Sequence, residues 1–163
     1  MAERFGRIKK ILVPVDGSEA SLEAVAVACN LGRRNKGTVY AVYVIEVARS
    51  LPLDAELDTE ARSGEGILAL AEQVADEQDF KVEGEILQAR DAGHAIVDEA
   101  IERGVGAVVM GVELQDENRG FDWPQHGKPK AIVNDLKLGH VADYVLHNAP
   151  CEVWLIRQPI GVT

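Results

Sequence analysis

Ile11-Leu12-Val13-Pro14-Val15-Asp16-Gly17-Ser18 is the stretch on which the reading of this chain turns. Its first three residues form an unbroken apolar run, the pattern of a strand buried on both faces of a sheet that helices cover. Pro14 has no amide to donate, so regular ladder pairing loosens there, and Asp16-Gly17-Ser18 supplies turn chemistry followed by a helix-capping hydroxyl. The Asp16 carboxylate is thereby placed at the carboxyl end of a strand, the edge along which open α/β sheets bind ligands. An aspartate before Gly-Ser is also a common plain turn residue, and this stretch alone leaves both readings standing.

Working outward, Leu22, Val25, Ala26 and Cys29 fall at i, i+3, i+4 and i+7 and predict an amphipathic helix, with Gly32 placed to stop it. Val39 to Val47 is rich in β-branched and aromatic residues and predicts a second buried strand, so the helix between the two is a parallel crossover. Arg49 to Asp58 has no helical period and reads as a loop. A second helix follows on Ile67, Leu70, Ala71 and Val74. Phe80 to Leu87 then alternates apolar and charged residues, with Lys81, Glu83 and Glu85 on one side, as expected of a strand at a sheet edge.

Asp91 to Arg103 carries Ile96, Val97 and Ala100 on one face and ends at Gly104, predicting a third helix with His94 facing solvent or bonded near its start. Ala107 to Met110 is a fourth short apolar strand ended by Gly111. Residues 112–138 show no clean period and mix charges with Phe121 and Trp123, the composition of a mobile lid or partner-binding loop inserted in the domain. Leu138 to Ala149 resumes a helix on Val141, Ala142 and Val145, and Pro150 ends it. Cys151 to Arg157 is the last strand, with an exposed-looking Trp154. The alternation predicts one α/β domain: an open five-stranded parallel sheet with helices on both faces.

At 163 residues the chain fits a single domain able to bury a sizeable core. The net charge of −10 opposes general affinity for nucleic acid or anionic membrane, both of which require many cations. No apolar run approaches the roughly 18–20 residues that span a bilayer, and Met1 to Lys10 is polar, so a cytoplasmic protein without membrane insertion is expected. Cys29 and Cys151 sit in apolar patterns typical of buried structural thiols. His94, His126, His140 and His147 lack zinc-like spacing, and no recognisable motif pairs a nucleophile with a base. No catalytic residue or metal ligand is therefore assigned.

Nucleotide binding calls for a backbone loop after a strand, whose amides, with those of the next helix, hold phosphate oxygens. The turn at Asp16 lacks both the G-x-G-x-x-G fingerprint and the G-x-x-x-x-G-K-[ST] phosphate loop. The segment from Gly111 to Gly139-His140 is the better phosphate candidate. Taken together, Ile11 to Ser18, Val108 to Gly111, and Leu138-Gly139-His140-Val141 through Cys151 to Arg157 resemble the universal stress protein family, in order and over essentially the whole chain.

The resemblance implies an adenine-nucleotide-binding domain with strand order 3-2-1-4-5, usually dimeric through the last strand, here residues 151–157. It implies that Asp16 and the backbone near Pro14, Val15 and Val44 hold the nucleoside, and that Met110, Gly111, Gly139, His140 and Val141 belong to the phosphate side. The ligand implied is an adenine nucleotide such as ATP or AMP. The family's signature after the fourth strand is G-x-x-G-x(9)-G-[ST], and this chain departs from it: Leu114 stands at the second glycine, His140 replaces Ser or Thr, and the interval is longer. A left-handed Leu114 costs roughly 1–2 kcal/mol. A lost hydroxyl removes about 0.5–1.5 kcal/mol, up to roughly tenfold in affinity. Weakened phosphate binding is expected, unless Arg119, Lys128, Lys130 or Lys137 compensates.

Val44 to Leu57 and Arg90 to Val97 are also similar to stress-protein domains appended to amino-acid transporters, which implies a protein or transporter partner. Three functions stay open on sequence: an adenine-nucleotide-binding stress or regulatory protein, a nucleotide-free interaction module using residues 112–138, and a slow nucleotide hydrolase.

Overall fold

Strand and helix alternate along the chain as β1 (Lys10–Pro14), α1 (Glu19–Asn35), β2 (Thr38–Glu46), α2 (Asp58–Glu77), β3 (Glu83–Ala89), α3 (Ala92–Arg103), β4 (Ala107–Val112), β5 (Gln115–Asp116), β6 (Leu136–Lys137), α4 (His140–Asn148) and β7 (Glu152–Arg157). The computed structural model describes residues 8–113, 115–116 and 136–159. Ile11, Leu12 and Val13 are fully buried in β1, and the period of two sends their side chains to opposite faces of the sheet. Ile11 and Val13 join Val25 and Cys29 of α1 with Leu68 and Ala71 of α2. Leu12 joins Ile96 and Val97 of α3 with Val145 of α4. Two apolar clusters on either side of one sheet make a three-layer α/β domain, each buried aliphatic side chain contributing about 1.5–3 kcal/mol.

The main sheet runs in the order β3-β2-β1-β4-β7, the expected 3-2-1-4-5 with β7 as its fifth strand, and every neighbouring pair is parallel. Ile11 stands opposite Val39 on one side and Ala107 on the other, so β1 is central. The chain builds outward from β1 to β3, then returns to the other side of β1 to lay down β4. With crossovers of one hand, that reversal places α1 and α2 on one face and α3 and α4 on the other. It also opens a crevice at the carboxyl ends of β1 and β4.

Several boundaries differ from the sequence expectation for packing reasons. Gly32 does not stop α1. The helix continues to Asn35 and turns at Lys36, whose φ is 53°, while Gly32 faces neighbours so near that a Cβ would lie 3.0 Å from Val39 and 3.1 Å from Phe80. Of the expected α2 face, Ala71 is buried and Ile67 and Val74 pack against the core, but Leu70 is 44% exposed, and Gly64, Leu68 and Ala75 complete the buried side. Gly64 is required there because a Cβ would meet the Tyr43 ring at 2.6 Å. β3 begins at Glu83 rather than Phe80, whose ring packs against the core ahead of the strand, and it lies at the sheet edge as expected.

Gly111 lies inside β4 rather than ending it, and Val112 belongs to the strand instead of the following insertion. Gln115–Asp116 and Leu136–Lys137 pair as a short antiparallel ladder. The rest of the segment expected to act as a lid, including Leu114, Arg119, Phe121, Trp123, His126, Lys128 and Lys130, lies outside the described residues. α4 starts at His140, two residues after the expected Leu138. Trp154 and Cys151 are half-buried rather than exposed and buried respectively, whereas Cys29 is fully buried and burial pushes its thiol up to about 11.

A Cβ on Gly111 would come within 2.2 Å of the Ala20 carbonyl carbon and 2.4 Å of the Ser21 amide nitrogen, both backbone atoms of α1. Gly111→Ala is expected to lower stability by about 3 kcal/mol. Gly66→Ala, in α2 with nothing within 4 Å of the added carbon, is expected to raise it by about 0.5–1 kcal/mol. Urea unfolding of the two variants side by side checks both.

Asp91 caps α3. Its Oδ1 accepts the His94 amide at 3.0 Å and lies 2.8 Å from His94 Nδ1. Those bonds, the ring's first and the amide's second, hold the Asp91 carboxyl below its ordinary value of 3.8 against a smaller opposing effect of burial. A carboxyl depressed in the folded state stabilises fully above its unfolded pKa and loses that contribution as pH falls through the lower folded pKa. Asp91→Ala is therefore expected to cost about 1 kcal/mol at neutral pH, with the deficit disappearing in acid below the folded value. Thermal unfolding of both proteins from neutral pH into acid reads this directly.

Candidate functional site

The turn after β1 is built by local hydrogen bonds before any ligand is considered. The Val15 amide donates to the Val42 carbonyl at 2.8 Å, holding the chain to β2 one residue past the end of β1. Asp16 then turns outward, and its Oδ1 accepts the Ser18 amide at 2.9 Å, a bond that folds the chain back through Gly17, whose φ is 88°. Ser18 caps α1 by accepting the Ser21 amide at 3.1 Å, and the Ser21 hydroxyl donates to the Ser18 carbonyl at 2.9 Å. Burial raises the Asp16 pKa, but the hydrogen bonds from Ser18 and Ser21 together outweigh it and hold the carboxyl below its ordinary value. Asp16 is thus a turn residue and, at neutral pH, a carboxylate at the mouth of the crevice.

The crevice is a cavity of about 400 Å³, within the roughly 300–1,000 Å³ range of small-molecule sites. Pro14, Val15 and Asp16 form its β1 wall, with Ser18 and Ser21 from the start of α1. Val42, Tyr43 and Val44 come from β2, and Ala92 and Ile96 from α3. The Ala92 amide donates to Glu46 Oε1 at 3.1 Å, fastening the first residue of α3 to the end of β2. Met110, Gly111, Val112 and Glu113 supply the β4 side, and Gly139, Val141 and Ala142 the α4 side. Gly139, at the cap of α4, has no side chain to bond the helix's first amides.

Of the residues singled out by sequence, Pro14, Val15, Asp16, Val44, Met110, Gly111, Gly139 and Val141 all line this cavity. His140 does not; it is the exposed first residue of α4, close enough to Asp91 to help hold that carboxyl down. His94 is also away from the cavity, 61% exposed at its side chain and stacked on Tyr144 at 4.0 Å between ring centroids. Sequence reasoning missed Ser18, Ser21, Tyr43 and Glu113 as lining residues. Ser21 had a signal, because a serine three residues after a capping serine lies on the same side of the first helical turn. Glu113 had one too, standing directly after the strand that ends at the crevice.

The family model described as the universal stress protein family matches residues 7–157. Universal stress protein MJ0531 of Methanocaldococcus jannaschii is 31% identical over 157 residues, spanning 93% of this chain and 83% of that protein. A universal stress protein from Archaeoglobus fulgidus superposes with a TM-score of 0.69 at 21% identity, covering 91% of this chain and 93% of its own. A universal stress protein from Archaeoglobus fulgidus in complex with dAMP superposes at 0.66 with 18% identity, covering 91% of this chain and 97% of its own. A family model matched from residue 7 to residue 157 and a relative 31% identical over nearly the whole chain carry one conclusion: the chain belongs to the universal stress protein family.

Proposed function

We propose that the crevice between the ends of β1 and β4 holds an adenine nucleotide, and that the protein is a stress or regulatory nucleotide-binding protein with an altered phosphate-binding motif. The observation that carries this is the convergence of the Asp16 turn, Gly111 and the glycine-capped start of α4 on one cavity at the point where strand order reverses. The dAMP complex of a relative with this fold supports it. In this reading Pro14, Val15 and Val44 pack against the nucleoside, Asp16 accepts from ribose or base, and the phosphate lies toward Met110, Gly111, Gly139 and Val141. His140 contributes from the helix start as an outer donor. Two free thiols suit a reducing, cytoplasmic setting.

Calorimetric titration of the protein with adenosine, AMP, cyclic AMP and ATP tests the proposal. Saturable binding of at least one is expected, and silence from all four up to millimolar concentration would end it. Asp16→Ala is expected to weaken the bound nucleoside by about 1–3 kcal/mol through loss of a hydrogen bond to a charged acceptor. An unchanged affinity would remove Asp16 from the site.

We also propose a homodimer through β7. It is an edge strand of the main sheet, and Val153, Trp154, Leu155 and Ile156 are only half-buried along it. Exposed apolar edges of this kind are usually covered by a partner. Sedimentation at micromolar concentration is expected to give the mass of two chains, and Val153→Lys to shift it toward one; a single-chain mass for the unaltered protein would refute the pairing.

A further inference from the structure

The charge of the described lining of the cavity is at odds with the charge of a nucleoside triphosphate. Among the described residues that line it, the carboxylates are Asp16 and Glu113, and there is no lysine, arginine or histidine. Asp16 is held ionised at neutral pH by the Ser18 and Ser21 hydrogen bonds despite the opposing effect of burial. Glu113 is exposed, follows directly on β4 and lines the same cavity as Gly139 at the start of α4. Among the described residues that line the cavity, the positive groups are the amides of the first turn of α4, behind a glycine cap. A helix start of that kind carries about half an elementary charge and suits a single anionic group.

Resting on the proposal that the cavity takes an adenine ligand, we infer that it selects adenosine or a nucleoside monophosphate over polyphosphates, and that Glu113 is the residue that sets this preference. The physical cause is repulsion rather than a missing contact. A second and third phosphate bring additional negative charge toward a wall that already carries a carboxylate, and an unfavourable contact with the wrong ligand separates two ligands as well as a favourable one with the right ligand. This differs from a weakened phosphate loop, which would loosen AMP and ATP alike. Glu113 leaves the first phosphate, held at the helix start, with its partners and acts on what extends beyond it.

The test is a calorimetric series with adenosine, AMP and ATP on the full chain, in metal-free buffer containing a chelator at low ionic strength. AMP is expected within about threefold of adenosine and ATP about tenfold or more weaker, the effect of two further charges several ångströms from a carboxylate at a solvated surface. Glu113→Gln is expected to narrow the ATP-to-adenosine ratio by about fourfold. Raising salt to about 1 M, where the screening length is ~3 Å, is expected to narrow it in the unaltered protein, which tests the charge without any substitution. ATP binding as tightly as adenosine would overturn the inference, as would a ratio indifferent to both Glu113→Gln and salt. Failure of adenosine, AMP and ATP alike to bind would instead remove the nucleotide proposal on which it rests.

Discussion

Backbone lies on backbone where Gly111 meets the first turn of α1, and the geometry of the site depends on that contact. With a Cβ only 2.2 Å from the Ala20 carbonyl carbon, no other residue fits at this point of β4. The close approach seats the start of α1 on the end of the neighbouring central strand. It therefore sets how far the Asp16 turn stands from Glu113 and Gly139 across the crevice. A glycine that sequence reading assigns to a phosphate loop is here a packing requirement, and the helix start it admits is one wall of the cavity.

Much of this was legible from sequence, for identifiable reasons. Ile11-Leu12-Val13 read as a two-sided strand because both faces of β1 are covered, leaving no polar alternation to blur the pattern. α3 was bounded correctly because Asp91 and Gly104 are local signals: a carboxylate that bonds its own helix start, and a glycine with φ of 61° at the helix end. What escaped were features written in the tertiary structure. In α2 the apolar period found Ile67, Ala71 and Val74, which do pack on the core, but it took in the exposed Leu70 and passed over Gly64 and Ala75, whose small size suits close approach to the sheet. Gly32 looked like a helix stop because its contacts with Val39 and Phe80 come from other elements.

The site shows the same division. The residues at strand ends could be named from pattern and family resemblance, since the turn that follows a buried strand must lie at one edge of the sheet. Tyr43 could not, because its presence in the cavity depends on how β1 and β2 sit together, whereas Ser21 and Glu113 each stood next to a signal that went unused. The turn also explains why Asp16 need not be either structural or functional: the oxygen that bonds Ser18 fixes the carboxylate's direction, and a carboxylate whose direction is fixed in advance loses less freedom on meeting a ligand.

The two edges of the main sheet are chemically unlike. β3 presents Glu83 and Glu85, with Glu85 paired to Arg103, whereas β7 presents a run of aliphatic residues and a tryptophan. Two adhesive edges on one parallel sheet would let molecules add side by side without limit, as in a growing fibre. With acid on one margin and apolar side chains on the other, any such growth would have a single margin to start from and would stop after one junction. The unequal margins act as a chain terminator built into the fold.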